Sequence, residues 1–324
     1  MHDDLHVSPE YKAHASDLVR SLPKIEIFDS LAGAIRPDTA SELGDVRDDA
    51  AWTRIAKEAV EDLAADGVVY AELRHPIAND AELAAICAGL QQGEKNTGIT
   101  ARLLVELAGD SATEHAALLS AHLMVVGAVI TDEPALAAAP VLAENFIPFS
   151  VDCRAIELTN AVLTGAARLT QAIDIYEDFH VDIEGIHPGP LSAHVRDREV
   201  PVEMSLTSAV ESGLVDELGE HPFPLLHQLG FTCVLGVENR QGGRTLSAEM
   251  QVLVDGFDFG LEELFQLTLN AVESCFLPLP QRKELLHDVV VPGFQQFAEE
   301  PDDPEQDTED DEAGDVELNI TGLD

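Results

Sequence analysis

Eight short apolar runs, set apart by longer amphipathic stretches, constrain this chain more than any other feature. The runs are Ile25–Ile27, Val68–Leu73, Ala101–Leu107, Leu123–Ile130, Phe149–Val151, Leu169–Ile175, Val202–Met204 and Cys233–Val237. Between most of them lie helical patterns such as Asp48–Asp66, Ala81–Glu94, Ala112–Ser120 and Pro134–Glu144. Strands alternating with helices imply a parallel sheet, and eight of them imply an α/β chain folded as a (β/α)8 TIM barrel. The rival is an open doubly wound sheet. That fold wants a Gly-rich phosphate loop after its first strand, and the SLAGAIRP that follows Ile25–Ile27 is not one.

Composition narrows the function classes. The chain has 324 residues, 45% of them hydrophobic, so it can bury a sizeable core. With 61 acids against 18 bases the net charge is −43, which would repel nucleic acid and anionic membranes alike. No segment approaches the roughly 18 apolar residues needed to cross a bilayer. Residues 1–20 form an N-terminal extension with acids where a secretory signal needs bases. Cys87, Cys153, Cys233 and Cys275 are far apart in apolar contexts, as expected of buried thiols in a reducing compartment, and a cytoplasmic location is expected. The barrel should span residues 21–298. Residues 299–324 contain no Lys or Arg and few apolar residues, and are expected to be a disordered acidic tail.

Several segments carry a resemblance. They are LPKIEIFDSLAGAIRP at Leu22–Pro37, DGVVYAELRHP at Asp66–Pro76, GAARLTQAIDIYED at Gly165–Asp178 and PVEMSLTSAVESG at Pro201–Gly213. HPFPLLHQLGFTCVLGVENR at His221–Arg240 and the Phe-Leu-Pro near the C-terminal helices continue the series. In this order they resemble the adenosine deaminase family over roughly residues 20–296. That resemblance implies a zinc ion that activates water, a catalytic His and Glu for proton transfer, and a carboxylate that holds the purine. Matched residue by residue, it places Phe28 and Ser30 at the family's paired metal histidines, and Asp152 at its third metal histidine. It places Ala155 at the catalytic Glu, Gln171 at the catalytic His, Glu238 at the metal Asp and Asn239 at the purine-contacting carboxylate. Thr207 and Ser208 match a Thr-Ser that lines the family's site and can contact a ligand. The segments that close over the substrate are also short here, about thirty residues joining Pro37 to Gly67.

The expectation is therefore an adenosine deaminase-like barrel with shortened lid segments and no catalytic or metal-binding set, with no cofactor where the family uses zinc. Binding a purine nucleoside or an unidentified protein partner would be its remaining function. The alternative is a divergent purine deaminase or hydrolase with a weakened or rebuilt metal site, for which Ser30, Asp152 and Glu238 offer oxygen ligands suited to Mg²⁺ or Mn²⁺. His187 and His194 match no zinc spacing and are expected at the surface. Glu72 and Arg74 should point into the barrel together as an ion pair, and Asp29 should lie beyond its strand and cap a helix.

Overall fold

The computed structural model describes residues 16–298 apart from 117, 118, 120, 121 and 184. The acidic tail and most of the N-terminal extension lie outside the described residues. Eight parallel strands form one sheet in the order β1 (Lys24–Glu26), β2 (Val68–Pro76), β3 (Thr100–Leu107), β4 (Val125–Ile130), β5 (Phe149–Asp152), β6 (Arg168–Thr170), β9 (Val202–Met204) and β10 (Cys233–Leu235). Between β6 and β9 a small antiparallel hairpin, β7 (His180–Asp182) and β8 (Gly185–His187), occupies what the sequence presents as loop. Helices connect the barrel strands, so the expected (β/α)8 barrel is the fold. No described helix is long and apolar enough to cross a membrane.

Local chemistry explains where the elements stop. The helix Asp49–Ala65 starts at Asp48, whose carboxylate accepts from Ala51 N at 2.8 Å, and Asp80–Thr97 starts at Asn79, which accepts from Ala81 N and Glu82 N at 3.0 Å. A shorter helix, Pro37–Leu43, precedes the first of these, so the β1–β2 connection holds two helices rather than one. The apolar run Leu169–Ile175 does not continue as a strand. The chain turns left-handed at Gln171 (φ 50°), and residues Ile173–Asp178 coil into a 3-10 helix. Residues 16–21 are helical and bury Val19.

The sheet is not closed by backbone pairing between β1 and β10 among the described residues. A side chain bridges the seam instead. The Glu26 carboxylate accepts from Phe28 N at 2.8 Å and from Val237 N at 2.9 Å. Gly236 is needed beside it, since a Cβ there would fall 2.6 Å from Phe28 Cβ. Burial, reinforced by Asp29, holds the Glu26 carboxyl well above the usual carboxylate range. Asp29 lies beyond β1 and caps no helix. It is fully buried and meets Arg240 Nε at 2.8 Å, while Arg240 Nη2 donates to Ala59 O at 3.2 Å. Burial pushes Asp29 up to about 6, against the pull of Arg240 and Arg74.

The barrel floor is charged. Arg168 is completely buried, with Nη1 2.7 Å from Glu72 Oε2 and Nε 3.1 Å from Glu203 Oε1. Tyr70 Oη donates to Glu72 at 2.8 Å, and the Phe276 ring lies under the guanidinium at 3.7 Å. Phe276 plugs the floor where Gly127 makes room; a Cβ on Gly127 would sit 2.3 Å from the ring. Glu72 and Arg74 therefore do not pair with each other. They sit one pleat apart on the inner face, and each meets the charges at its own height.

Two outcomes test this account. Replacing Arg168 by Met leaves Glu72 and Glu203 buried without a counter-charge, so Arg168→Met should cost roughly 3–5 kcal/mol in urea unfolding, most of it recovered by adding Glu72→Gln and Glu203→Gln. Equal destabilisation of the single and triple variants would contradict it. Asp29 holds its proton more tightly folded than unfolded, so its contribution is present below about pH 4 and lost as pH rises through 6. Relative to Asp29→Asn, the parent should lose roughly 2–3 kcal/mol of stability between pH 4 and 7. A pH-independent difference between the two proteins would refute that assignment.

Candidate functional site

The C-terminal ends of the barrel strands form a mouth whose side chains come from six strands or the turns that follow them. Phe28 and Ser30 follow β1, Arg74 lies in β2, Glu106 in β3, Asp152 ends β5, Gln171 follows β6, and Glu238 and Asn239 follow β10. This is the face on which barrel enzymes build their sites.

Two guanidinium groups organise it. Arg74 is nearly buried. Its Nη1 lies 3.0 Å from Glu106 Oε1, its Nη2 3.2 Å from Glu238 Oε1, and its Nε donates to Phe28 O at 3.2 Å. Its guanidinium carbon stands 5.1 Å from the centre of the buried Phe28 ring, within cation–π range. Arg154 comes from the turn after β5. Its backbone N and its Nε reach Asp152 Oδ1 at 3.1 and 2.9 Å, and its Nη2 meets Asp152 Oδ2. The other arm, Nη1, meets Glu238 Oε1. Arg154 thus grips Asp152 in a fork and ties it to Glu238. Gln171 Nε2 donates to Glu238 Oε2 at 3.4 Å.

The electrostatics follow from these contacts. Burial raises the Glu106 carboxyl above its ordinary value, with Arg74 opposing. Burial also works against the charge on Arg154, but Asp152 and Glu238 outweigh it, and the guanidinium is held charged more firmly than usual. Positive charge at this mouth is thus supplied by side chains already present.

The remaining expected residues divide. Ser30, Ser208 and Asn239 line a cavity of about 530 Å³ beside Arg74, Glu238 and Arg244. Ser208 Oγ is buried there with no hydrogen-bond partner among the described residues. Asn239 Oδ1 accepts from Gln241 N at 2.8 Å. Thr207 is drawn elsewhere: its hydroxyl meets Glu249 Oε1, which also takes the backbone at the start of the helix Leu206–Glu211. Ala155 lies exposed in the Arg154 turn and offers no proton-transfer group. His187 is a half-exposed hairpin residue 3.0 Å from Asp182, and His194 is exposed on the helix Pro190–Asp197. All four cysteines are free thiols.

These side chains do not fit a zinc ion. Zinc requires about four N, S or O donors at roughly 2.0–2.3 Å. Phe28 has none to give, Ser30 offers a neutral hydroxyl, and Asp152 and Glu238 are both engaged by Arg154. Among the described residues no group of three or more His, Cys, Asp and Glu side chains is placed to hold a metal ion. The same contacts count against an oxygen-ligand site on Ser30, Asp152 and Glu238. Sequence reasoning singled out the two carboxylates and missed the arginine between them. The available signal was Arg154 two residues after Asp152, a spacing that lets a turn fold the guanidinium back onto the carboxylate.

Comparison with known proteins agrees with the fold and names the lineage. The family model described as adenosine deaminase matches residues 155–292. The adenosine deaminase of Mycobacteroides abscessus is 31% identical over 79% of this chain and 79% of its own length. A solved amidohydrolase from Burkholderia ambifaria with bound Zn is similar at a TM-score of 0.78 and 18% identity, covering 92% of this chain and 96% of that one. An Arabidopsis ADAL complexed with IMP is similar at 0.71 and 22% identity, covering 86% of this chain and 99% of that one. On the strength of its sequence relatives, the chain belongs to the adenosine deaminase family.

Proposed function

We propose that this member of the family has lost zinc-dependent deamination and that its barrel mouth binds a purine without hydrolysing it. The observation that carries this reading is Arg154, whose guanidinium lies between Asp152 and Glu238. Those are two of the positions that the family resemblance gives to metal ligands. A fixed organic cation supplies charge there but cannot do what a metal does, which is to lower the pKa of a bound water towards neutrality. At the two remaining ligand positions, Phe28 has no lone pair to donate and Ser30 only a hydroxyl. Ala155 and Gln171 stand where the family places its proton-transferring Glu and His. Neither titrates near neutral pH, and losing even one general acid or base typically slows a reaction about 10²–10⁴-fold.

Binding makes fewer demands than catalysis. The mouth keeps a polar cavity with Asn239, Ser208 and Ser30 on its walls, and the buried Ser208 hydroxyl still lacks a partner. One structural neighbour holds IMP, a purine nucleotide, which favours a purine over other small ligands. The short connection from β1 to β2 would leave such a ligand less enclosed than in a lidded enzyme, consistent with reversible binding.

Purified protein should contain far less than one zinc per chain by elemental analysis and should show no adenosine-to-inosine conversion above background in an ultraviolet assay. Purine nucleosides should raise its melting temperature, because a ligand specific to the folded state stabilises it. Stoichiometric zinc together with sustained turnover would overturn the proposal and establish a divergent deaminase instead.

A further inference from the structure

We propose that a second cavity, in the cleft beside the β1–β10 seam, is a binding site for a phosphorylated small molecule of about nucleotide size. The cleft encloses about 830 Å³, within the range of small-molecule sites, and lies outside the barrel mouth. Arg20, Arg36, Arg47, Arg240 and Arg244 all line it. These five come from only 18 basic residues in a chain of net charge −43, so basic side chains converge where the rest of the surface would repel an anion. They reach the cleft from separate places in the sequence. Arg20 precedes β1, Arg36 and Arg47 flank the helix Pro37–Leu43, and Arg240 and Arg244 bracket the loop after β10. In that loop Gly242 and Gly243 adopt φ of 80° and 83°, a reversal that brings the last two arginines to the same wall.

Three of the five are paired, Arg36 with Asp62, Arg240 with Asp29 and Arg244 with Glu211, and the uncancelled charge belongs to the other two. Arg47 donates only to backbone, to Gly44 O at 2.9 Å and Val46 O at 2.8 Å, and among the described residues neither Arg20 nor Arg47 pairs with a carboxylate. Three acids line the cleft. Asp62 is taken by Arg36 at 2.6 Å, Asp66 accepts from Ser247 N at 3.0 Å, and Glu26 is spent on the seam amides. Arginine is suited to phosphate because its planar fork donates two parallel hydrogen bonds. The lining also includes Ile35, Leu63, Val237 and Leu246, apolar side chains against which the organic part of a phosphate ester can pack. Gln241 and Arg244 line both this cleft and the mouth cavity, so the two sites adjoin.

This inference stands apart from purine binding at the mouth, and calorimetry on the full chain distinguishes them. Pyrophosphate and AMP are titrated at constant ionic strength set with chloride, with adenosine as the phosphate-free probe. Pyrophosphate and AMP should each bind with Kd below about 1 mM. Both arginines without a carboxylate partner are exposed, so Arg20→Ala/Arg47→Ala should keep the parent's melting temperature. It should weaken pyrophosphate and AMP by about 10- to 100-fold and leave any adenosine binding unchanged. The proposal is overturned if pyrophosphate fails to bind, or if the double variant binds it as tightly as the parent. AMP binding without pyrophosphate binding also overturns it, because recognition then lies with the purine.

Discussion

The fully buried cation Arg168 sets the charged floor of this barrel. With no exposed surface it depends on Glu72 and Glu203 for counter-charge and on Phe276 for an aromatic face. An ion taken fully out of water costs several kcal/mol unless it is paired and hydrogen-bonded. That requirement fixes the inward direction of three strands at once. Once Glu72 faces in on β2, the two-residue pleat makes Arg74 face in as well, one step nearer the mouth. The upper charges follow from the lower ones. Arg74 collects Glu106 and Glu238, and Glu238 in turn collects Arg154 and Gln171.

Charge balance also explains how the carboxylates of this mouth coexist in a folded barrel. Carboxylates crowded at a strand-end mouth repel one another unless something positive lies between them. In a zinc enzyme the metal fills that role; here Arg74 and Arg154 do. Two fixed organic cations balance the carboxylates in place, but a guanidinium does not lower the pKa of a bound water as a metal does. Structure and chemistry are therefore separable at this mouth: the carboxylates need a cation, and only hydrolysis needs a metal.

Much of the fold was legible in the sequence because strand burial is a local signal. The runs at Val68, Ala101 and Phe149 are mostly apolar over the length of a strand and then give way to polar or turn residues. Where the signal failed, a long-range or backbone effect had intervened. Nothing in LTQAIDI announces that Gln171 will adopt a positive φ and end the strand after Thr170. The hairpin around Gly185 has strands of only three residues and reads as loop. At the mouth, substitutions at aligned positions were visible, but their partners were not. Glu72 meets Arg168 across 96 residues of chain, and Arg74 meets Glu238 across 164, separations at which sequence spacing carries no information. Thr207 looked like a ligand contact because the Glu249 that claims it lies 42 residues away.

The seam between β1 and β10 has a consequence for how the protein is made. Glu26 reaches Val237 across 211 residues, and the amide of Phe276 reaches Glu72 across 204. Until the ribosome has delivered the chain through Val237 the first strand has no neighbour on one side, and until Phe276 follows the floor has no plug. Contacts of such separation form late and fold slowly. The early strands must wait, their parallel edge open, for the C-terminal helices to emerge. A surface of strong like charge keeps waiting chains apart, so the acidity that looks like a property of the finished protein also protects the unfinished one.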